Sequence, residues 1–316
     1  MMTGDTDTDS DLEFRPATHD DYDRVAAFTQ DTWDDASDYI PDVYHDWIEG
    51  EGKRTLVADA GEDIAGIAQC VLLSEHEAWG QGIRVNPDFR GQGVASAITH
   101  HLFDWAREQG ATVMRNMVFS WNEAGLGQSR ATGYEPATEF RWLHPDPDPT
   151  ATEAVDSGLT VVDEPAVAWT AWLDSDARDH LRGLGLSLDE SWALQELTRE
   201  LFGRVAEETA LFAVTGDGGT TGCSYRTRVY DRENDDGVPE TWAEYGVATW
   251  TDLETAETLL AAIAADAAAA GADRTRVLVP EVPRYVSDGA YLRAGISEEP
   301  DFVLAAELTA DYRSDP

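Results

Sequence analysis

Basic residues are scarce in this 316-residue chain: 22 Lys and Arg stand against 62 Asp and Glu, the formal net charge is −40, and Lys53 is the only lysine. A surface of that sign repels nucleic acid and anionic lipid, which excludes both as partners. The acidity reads as adaptation to a salty cytoplasm, where ions shorten the Debye length to about 3 Å at 1 M and screen the self-repulsion. Cysteine is nearly absent too. Cys70 and Cys223 fall in apolar, strand-like segments outside any Cys-x-x-Cys or Cys/His pattern, so neither a disulfide framework nor a zinc site is expected, and no metal. No run approaches the roughly 18 apolar residues of a membrane span. The opening MMTGDTDTDSD lacks the apolar core of a signal peptide, so residues 1–11 are expected as a disordered acidic tail on a soluble cytoplasmic protein.

What is present is enough for two cores: 42% of the residues are apolar, and the length suits two ordinary domains. Residues 144–158, HPDPDPTATEAVDSG, carry Pro, Asp and Thr without apolar period and read as an exposed linker. The sequence repeats on either side. Leu56-Val57-Ala58 leads through Gly61 to Gly66 as Leu211-Phe212-Ala213 leads through Gly216 to Gly222. Farther on, Val85 matches Val247, Gly110 matches Gly271 and Gly133 matches Gly295, with offsets that run only from 155 to 162. The expectation is a duplicated unit, with domains at residues 12–143 and 159–310.

Within the first unit the order is legible. Leu12 to Ala17 reads as a strand, and His19-Asp20-Asp21 opens a helix through Tyr22, Val25, Ala26 and Phe28. A hairpin follows over 54–59 and 64–73, then a strand from Glu77 to Val85. A helix carries the apolar stripe Val94, Ile98, Leu102 and Trp105 and stops at Gly110. Val113 to Ser120 is a strand, Asn122 to Thr132 a short helix, and Thr138 to Leu143 a closing strand. The fold class is α/β, each domain a mixed, mostly antiparallel sheet flanked by helices.

The chemistry centres on VNPDFRGQGVA, Val85 to Ala95. A loop running from a strand into a helix presents unbonded amides and the positive end of the helix dipole, which suits a pyrophosphate. Gly91 and Gly93 let the backbone approach a ligand, and Arg90 supplies a cation that this acidic chain otherwise lacks locally. These residues resemble the signature of the GNAT (general N-acetyltransferase) superfamily, Val-x-Pro-x-x-Arg-Gly-x-Gly-x-Ala, met by Val85, Pro87, Arg90, Gly91, Gly93 and Ala95. A later family element, an Asn opening a short helix that ends in Gly-Phe or Gly-Tyr, is met by Asn122 and Gly133-Tyr134. The resemblance covers about residues 12–143.

The resemblance implies acetyl-CoA as acyl donor. Its pyrophosphate would sit on the amides of Gly91, Gln92, Gly93, Val94, Ala95 and Ser96, its pantetheine would pair with the strand at Val85, and Asn122 would contact the pantetheine arm. It also implies direct attack by an amine on the thioester in a ternary complex, with a small-molecule amine or a peptide N-terminus as acceptor. Such a reaction needs a base, an oxyanion donor and help for the departing thiolate. Glu77, at the start of the strand leading to the loop, is the candidate base, with Glu75 and His76 as substitutes; a solvated strand end is the plain alternative. The amide of Val85 or a neighbour is the candidate oxyanion donor. Where the family commonly has a tyrosine, seven residues after the Asn, this chain has Ser129, a candidate hydrogen-bond donor to sulfur or a helix residue without a role.

His100 and His101 read as structural, and Trp33, Tyr39 and Trp47 as aromatic core anchors or acceptor-stacking residues. In the second half the loop becomes VATWTDLETAE, where Asp252, Glu254 and Glu257 stand against phosphate. That half reads as a degenerate domain of the same fold. Two functions remain open on the sequence: an acetyl-CoA-dependent N-acetyltransferase, and a non-catalytic acyl-CoA-binding or regulatory protein.

Overall fold

The computed structural model describes residues 12–30, 38–234 and 237–309. The acidic tail, Trp33 and the expected end of the second domain at residue 310 lie outside them. By internal contacts the chain forms two units, Met1–Asn116 with Ala124–Glu135 and Ala305–Pro316, and Met117–Glu123 with Pro136–Leu304.

The first unit follows the expected order: β1 (Glu13–Pro16), α1 (Tyr22–Thr29), α2 (Ile40–Ile48), β2 (Lys53–Asp59), β3 (Ile64–Leu72), β4 (Glu77–Val85), α3 (Val94–Glu108), β5 (Val113–Phe119) and α4 (Glu123–Ala131). Strands β1 to β5 lie in sequence order, antiparallel except for β4 and β5. A parallel pair needs a crossover, and α3 supplies it. Val25, Ile40, Tyr44 and Trp47 of α1 and α2 form a core with Val57, Ile64 and Ile67 of the sheet. Helix α3 buries Val94, Ile98, Leu102, Phe103 and Ala106, each large apolar side chain worth about 1.5–3 kcal/mol when fully buried. Trp105, expected in that stripe, is half-buried beneath the Arg54 guanidinium, 5.6 Å from its ring centroid, while Ala106 takes the inward position one helical turn after Leu102.

The second unit contains β6 (Glu135–His144), β7 (Thr160–Val162), α5 (Pro165–Leu173), α6 (Asp176–His180), β8 (Leu184–Leu186), β9 (Leu194–Glu196), α7 (Arg199–Glu208), β10 (Ala210–Gly216), β11 (Gly219–Glu233), β12 (Pro239–Tyr245) and β13 (Thr249–Trp250). It continues through α8 (Leu253–Ala269), β14 (Arg274–Pro280), α9 (Pro283–Tyr291), β15 (Gly295–Ile296) and the start of β16 (Asp301–Glu307). Its strands run β6-β14-β12-β11-β10-β7, with β12 and β14 as the parallel pair spanned by α8. The repeat is visible in matched residues: a Cβ at Gly66 would lie 3.0 Å from Ile98 Cδ1 of α3, and one at Gly222 would lie 2.8 Å from Thr255 Cγ2 of α8. Both glycines let the crossover helix pack closely on the sheet.

The strand that closes the first half in sequence belongs to the second unit. β6, which ends the first half in sequence, pairs with β14 from Phe140↔Pro280 to Leu143↔Val277 in the second unit. The chain's last described residues belong to the first, where the Leu308 amide donates to the Thr112 carbonyl at 2.8 Å. The segment expected as a linker is tied down. The Asp148 amide bonds the Ala264 carbonyl at 3.0 Å, the Thr275 hydroxyl bonds the Pro145 carbonyl, and the hydroxyls of Ser157 and Thr258 lie 2.9 Å apart. Helix α9 stops at Tyr291, and Gly295 opens β15.

Asp301 is buried in the second unit, accepting from Trp142 Nε1 at 2.9 Å, and burial pushes its carboxyl up to about 6. Between the unfolded value near 4 and about 6 the native state holds more protons than the unfolded chain. Stability therefore falls as pH rises through that window and stays lowered above it. Asp301→Asn keeps an acceptor for Trp142 and cannot ionise. It is expected to raise the unfolding free energy at pH 7 by about 1–3 kcal/mol relative to the parent, with the gain vanishing near pH 4. Denaturant titrations at both pH values measure this; an equal effect at both would refute it.

Candidate active site

The loop after β4 is built by local bonds. The Asn86 side chain accepts from the Asp88 amide at 3.1 Å and donates to the Ile64 carbonyl at 3.1 Å, fixing the exit from the strand. Gly91 and Gly93 take φ of +76° and +78°, the left-handed region that an L side chain resists. Gly93 is the N-cap of α3. Among the described residues no side chain caps α3, and its first turn carries no acidic residue, in a chain with 62 of them. Gly91, Gln92 and Gly93 are exposed, as is Arg90, while Ala95 and Ser96 are half-buried and Val94 is buried. The result is a short arc of helix-terminal amides beside one guanidinium, a fit for pyrophosphate oxygens.

Upstream, β4 pairs with β5 only over Glu77↔Val113, Ala78↔Met114 and Trp79↔Arg115. Beyond that fork β4 departs from regular geometry. Ile67↔Arg84 and Gln69↔Gln81 leave two residues of β4 opposite one of β3, a bulge in which Gly82 has φ +62°. The Trp47 ring occupies the side-chain space at Gly82: a Cβ there would lie 2.1 Å from it. A bulge re-aims backbone amides, and here it does so between the fork and Val85, which is half-buried at the strand end.

Glu77 lies at the paired end of the fork and is 6% exposed. Its carboxylate accepts from Arg115 Nη1 at 2.5 Å and from the Ser74 hydroxyl at 3.1 Å. Glu75 and His76 are exposed in the turn before it. Ser129 is 1% exposed on α4, and its hydroxyl accepts from Asn116 Nδ2 of β5 at 3.0 Å. Tyr134 reaches the fork from below: its hydroxyl would lie 2.9 Å from a Cβ at Gly80. Asn122 stands just before α4, its amide bonded to the Phe119 carbonyl at 2.9 Å, in the segment grouped with the second unit. Tyr39 is exposed, Trp47 buried, and His101 stacks on Phe14 at 4.5 Å. Neither cysteine offers a nucleophile, since both are buried and burial pushes the Cys223 thiol up to about 12.

Sequence reasoning missed Asn116, Gln69 and Gln81. Gln69 was detectable as the one amide inside the apolar run IAGIAQCVL, but its partner across the sheet requires the register. A cavity of about 340 Å³ in the first unit, lined by Arg54, His101, Asp104 and Trp105 among others, opens along the far half of α3 and away from the loop.

The second unit differs at the helix terminus and at the fork. Asp252 caps α8, accepting the Thr255 amide at 2.8 Å and the Thr255 hydroxyl at 2.9 Å, and Glu254 joins it in the first turn. The Thr255 amide holds the Asp252 carboxyl below its usual range. Its parallel pair stays closed, since β12 and β14 register as far as Tyr245↔Val277 and the Ala248 amide then bonds the Leu278 carbonyl at 2.8 Å.

Residues 19–127 match the sequence model of the acetyltransferase (GNAT) family. A histidine N-acetyltransferase of Scomber australasicus is 33% identical over 88 residues, which is 28% of this chain and 26% of that protein, so the match spans about a quarter of the relative's length. The GCN5-related N-acetyltransferase from Sphaerobacter thermophilus superposes with a TM-score of 0.57 at 16% identity, covering 95% of this chain and 96% of that one. A tandem GNAT protein from the clavulanic acid biosynthesis pathway gives a TM-score of 0.53 at 16% identity, covering 95% and 99%. Residues 19–127 are thus a GNAT-family domain, and the chain has the mixed, mostly antiparallel α/β fold of tandem GNAT proteins.

Proposed function

We propose that the protein is an acetyl-CoA-dependent N-acetyltransferase of a salty cytoplasm whose first unit binds the coenzyme and carries the reaction. The observation that carries this reading is the contrast between the two crossover helices: the α3 terminus is left to glycine with no acid in its first turn, whereas α8 is capped by Asp252. The amides of Gly91 to Ser96 and the Arg90 guanidinium are the groups that hold the pyrophosphate, with Val85 toward the pantetheine. Acetyl-CoA supplies the activated acyl group when bound. Glu77 takes the proton of the acceptor amine through water, the amides of the β4 bulge and Val85 meet the oxyanion, and the Ser129 hydroxyl donates toward the sulfur as the thiolate leaves.

The acceptor is a primary amine, either of a small molecule or of a peptide N-terminus. The relative named as a histidine N-acetyltransferase puts histidine first in a test panel, beside lysine and a short peptide with a free N-terminus. A second reading, a binder without turnover, is favoured by Ser129, which is buried and already engaged by Asn116. Incubation with acetyl-CoA and the panel in multimolar KCl separates the two. The enzyme releases CoA thiol in step with acetylated amine, and a binder only raises its melting temperature with acetyl-CoA.

A further inference from the structure

One face of the second unit's sheet gathers charge of both signs around a cavity. Arg232 of β11 stands directly across the ladder from Glu240 of β12, and Trp242, two residues along β12, registers with Arg274 of β14. Directly paired residues share a face, as do residues two apart on a strand, so these four side chains project from one side of three adjacent strands. His144, the last residue of β6, sets its ring edge-on to Trp242 with centroids 6.2 Å apart. All five residues line a cavity of about 440 Å³, a volume in the range of small-molecule sites.

The polar groups at this cavity keep unused hydrogen-bonding capacity of fixed sign. His144 Nδ1 lies 2.8 Å from the Thr275 carbonyl, and a carbonyl only accepts, so Nδ1 carries the ring proton. Burial pushes the imidazole below its ordinary value, so at neutral pH Nε2 is bare and can only accept. Glu240 uses one oxygen: Oε1 accepts from Asn234 Nδ2 at 3.3 Å and lies 3.6 Å from Arg274 Nε, while Oε2 has no partner among the described residues. Arg232 is exposed and forms no ion pair among the described residues; its guanidinium lies 5.8 Å from the Trp242 ring centroid. An open cation and an open carboxylate oxygen thus stand side by side across the ladder, with the indole and a bare imidazole nitrogen farther along. Glu233 and Asp146 line the cavity as well. Three carboxylates disfavour a ligand that is only an anion, and one that is only a cation leaves Arg232 unanswered.

We propose that this cavity binds an α-amino acid as a zwitterion: its carboxylate meets Arg232, its ammonium donates to Glu240 Oε2, and its side chain runs along Trp242 to present a terminal N–H to His144 Nε2. Both headgroup contacts are charge-assisted hydrogen bonds, and the bare imidazole nitrogen selects a side chain that ends in a donor. The second unit, whose α8 is capped by Asp252, thereby has a ligand of its own, whether or not the first unit transfers an acetyl group.

Titration calorimetry of the full chain at neutral pH tests this with L-asparagine, L-glutamine, L-lysine and L-arginine, and with L-norleucine, which has no side-chain donor. The tightest of the four is then compared with its decarboxylated amine and its deaminated acid. Each half is expected to bind at least about tenfold more weakly than the whole amino acid, and norleucine about tenfold more weakly too. Arg232→Gln is expected to weaken the amino acid about tenfold, and His144→Phe to erase the preference over norleucine, with melting curves reporting that both variants are folded. If none of the four binds, or if Arg232→Gln binds as the parent does, the site is overturned; the second result would place the amino acid elsewhere, including at an acceptor site in the first unit. A deaminated acid that binds as tightly as the amino acid overturns the zwitterion, and norleucine matching the tightest of the four in the parent overturns the part given to His144.

Discussion

Gly93→Asp is expected to weaken acetyl-CoA binding at least about 100-fold while the fold survives. The substitution reproduces at α3 what Asp252 does at α8, where a carboxylate takes the Thr255 amide at 2.8 Å. At α3 the new carboxylate would take an amide that the pyrophosphate needs and would place a like charge beside it. The loss of charge-assisted bonds to a helix terminus, together with that repulsion, comes to about 3 kcal/mol, or roughly a hundredfold in affinity. Sterics do not confound the experiment. Among the described residues nothing beyond the adjoining chain lies within 4 Å of a Cβ at Gly93, and aspartate tolerates a φ of +78° better than most L residues. Gly93→Ala adds only the backbone strain and is the control. Titration calorimetry of parent and both variants reads the difference, and an alanine variant as weak as the aspartate one would assign the loss to strain instead.

Glu77→Gln is expected to lower kcat about 100-fold with acetyl-CoA affinity unchanged. Removing a general base costs about 10²- to 10⁴-fold, and the lower figure applies where water relays the proton. The carboxylate is held by Arg115 at 2.5 Å and Ser74 at 3.1 Å, and an amide of the same shape keeps an oxygen for one of these partners. The competing account makes Glu77 only the partner of a buried arginine. Breaking such a pair costs about 3–5 kcal/mol of stability and leaves turnover of the surviving folded protein intact. Rate and melting temperature therefore move in opposite ways under the two accounts. A variant that melts early and acetylates at the parental rate contradicts the base assignment.

Much of the site is local in sequence, and that is why it could be read there. The arc of amides needs Gly91, Gly93 and the start of one helix, all within ten residues, and the hairpins and α3 announce themselves by turn residues and a 3.6 period. Long-range facts were hidden. The apolar pattern of β6 says that it is a strand but not which sheet it joins, so its pairing with β14 could not be anticipated. The register that sets Gln81 against Gln69 depends on a bulge whose position no periodicity marks. The segment 144–158 has a linker's composition, yet its polar groups found partners on α8 and β14. Ser129 was visible as a departure from the family pattern, but its burial and its bond to Asn116 were not.

The two halves carry the same fold and opposite helix termini, glycine with no acid at α3 and a carboxylate at α8. On this contrast we propose that one half binds the coenzyme and the other does not. Titration of the full chain with acetyl-CoA in multimolar KCl tests this most directly. It should give one site per chain, and Arg90→Glu should remove it. Two sites per chain, or a single site that persists in Arg90→Glu, would contradict it.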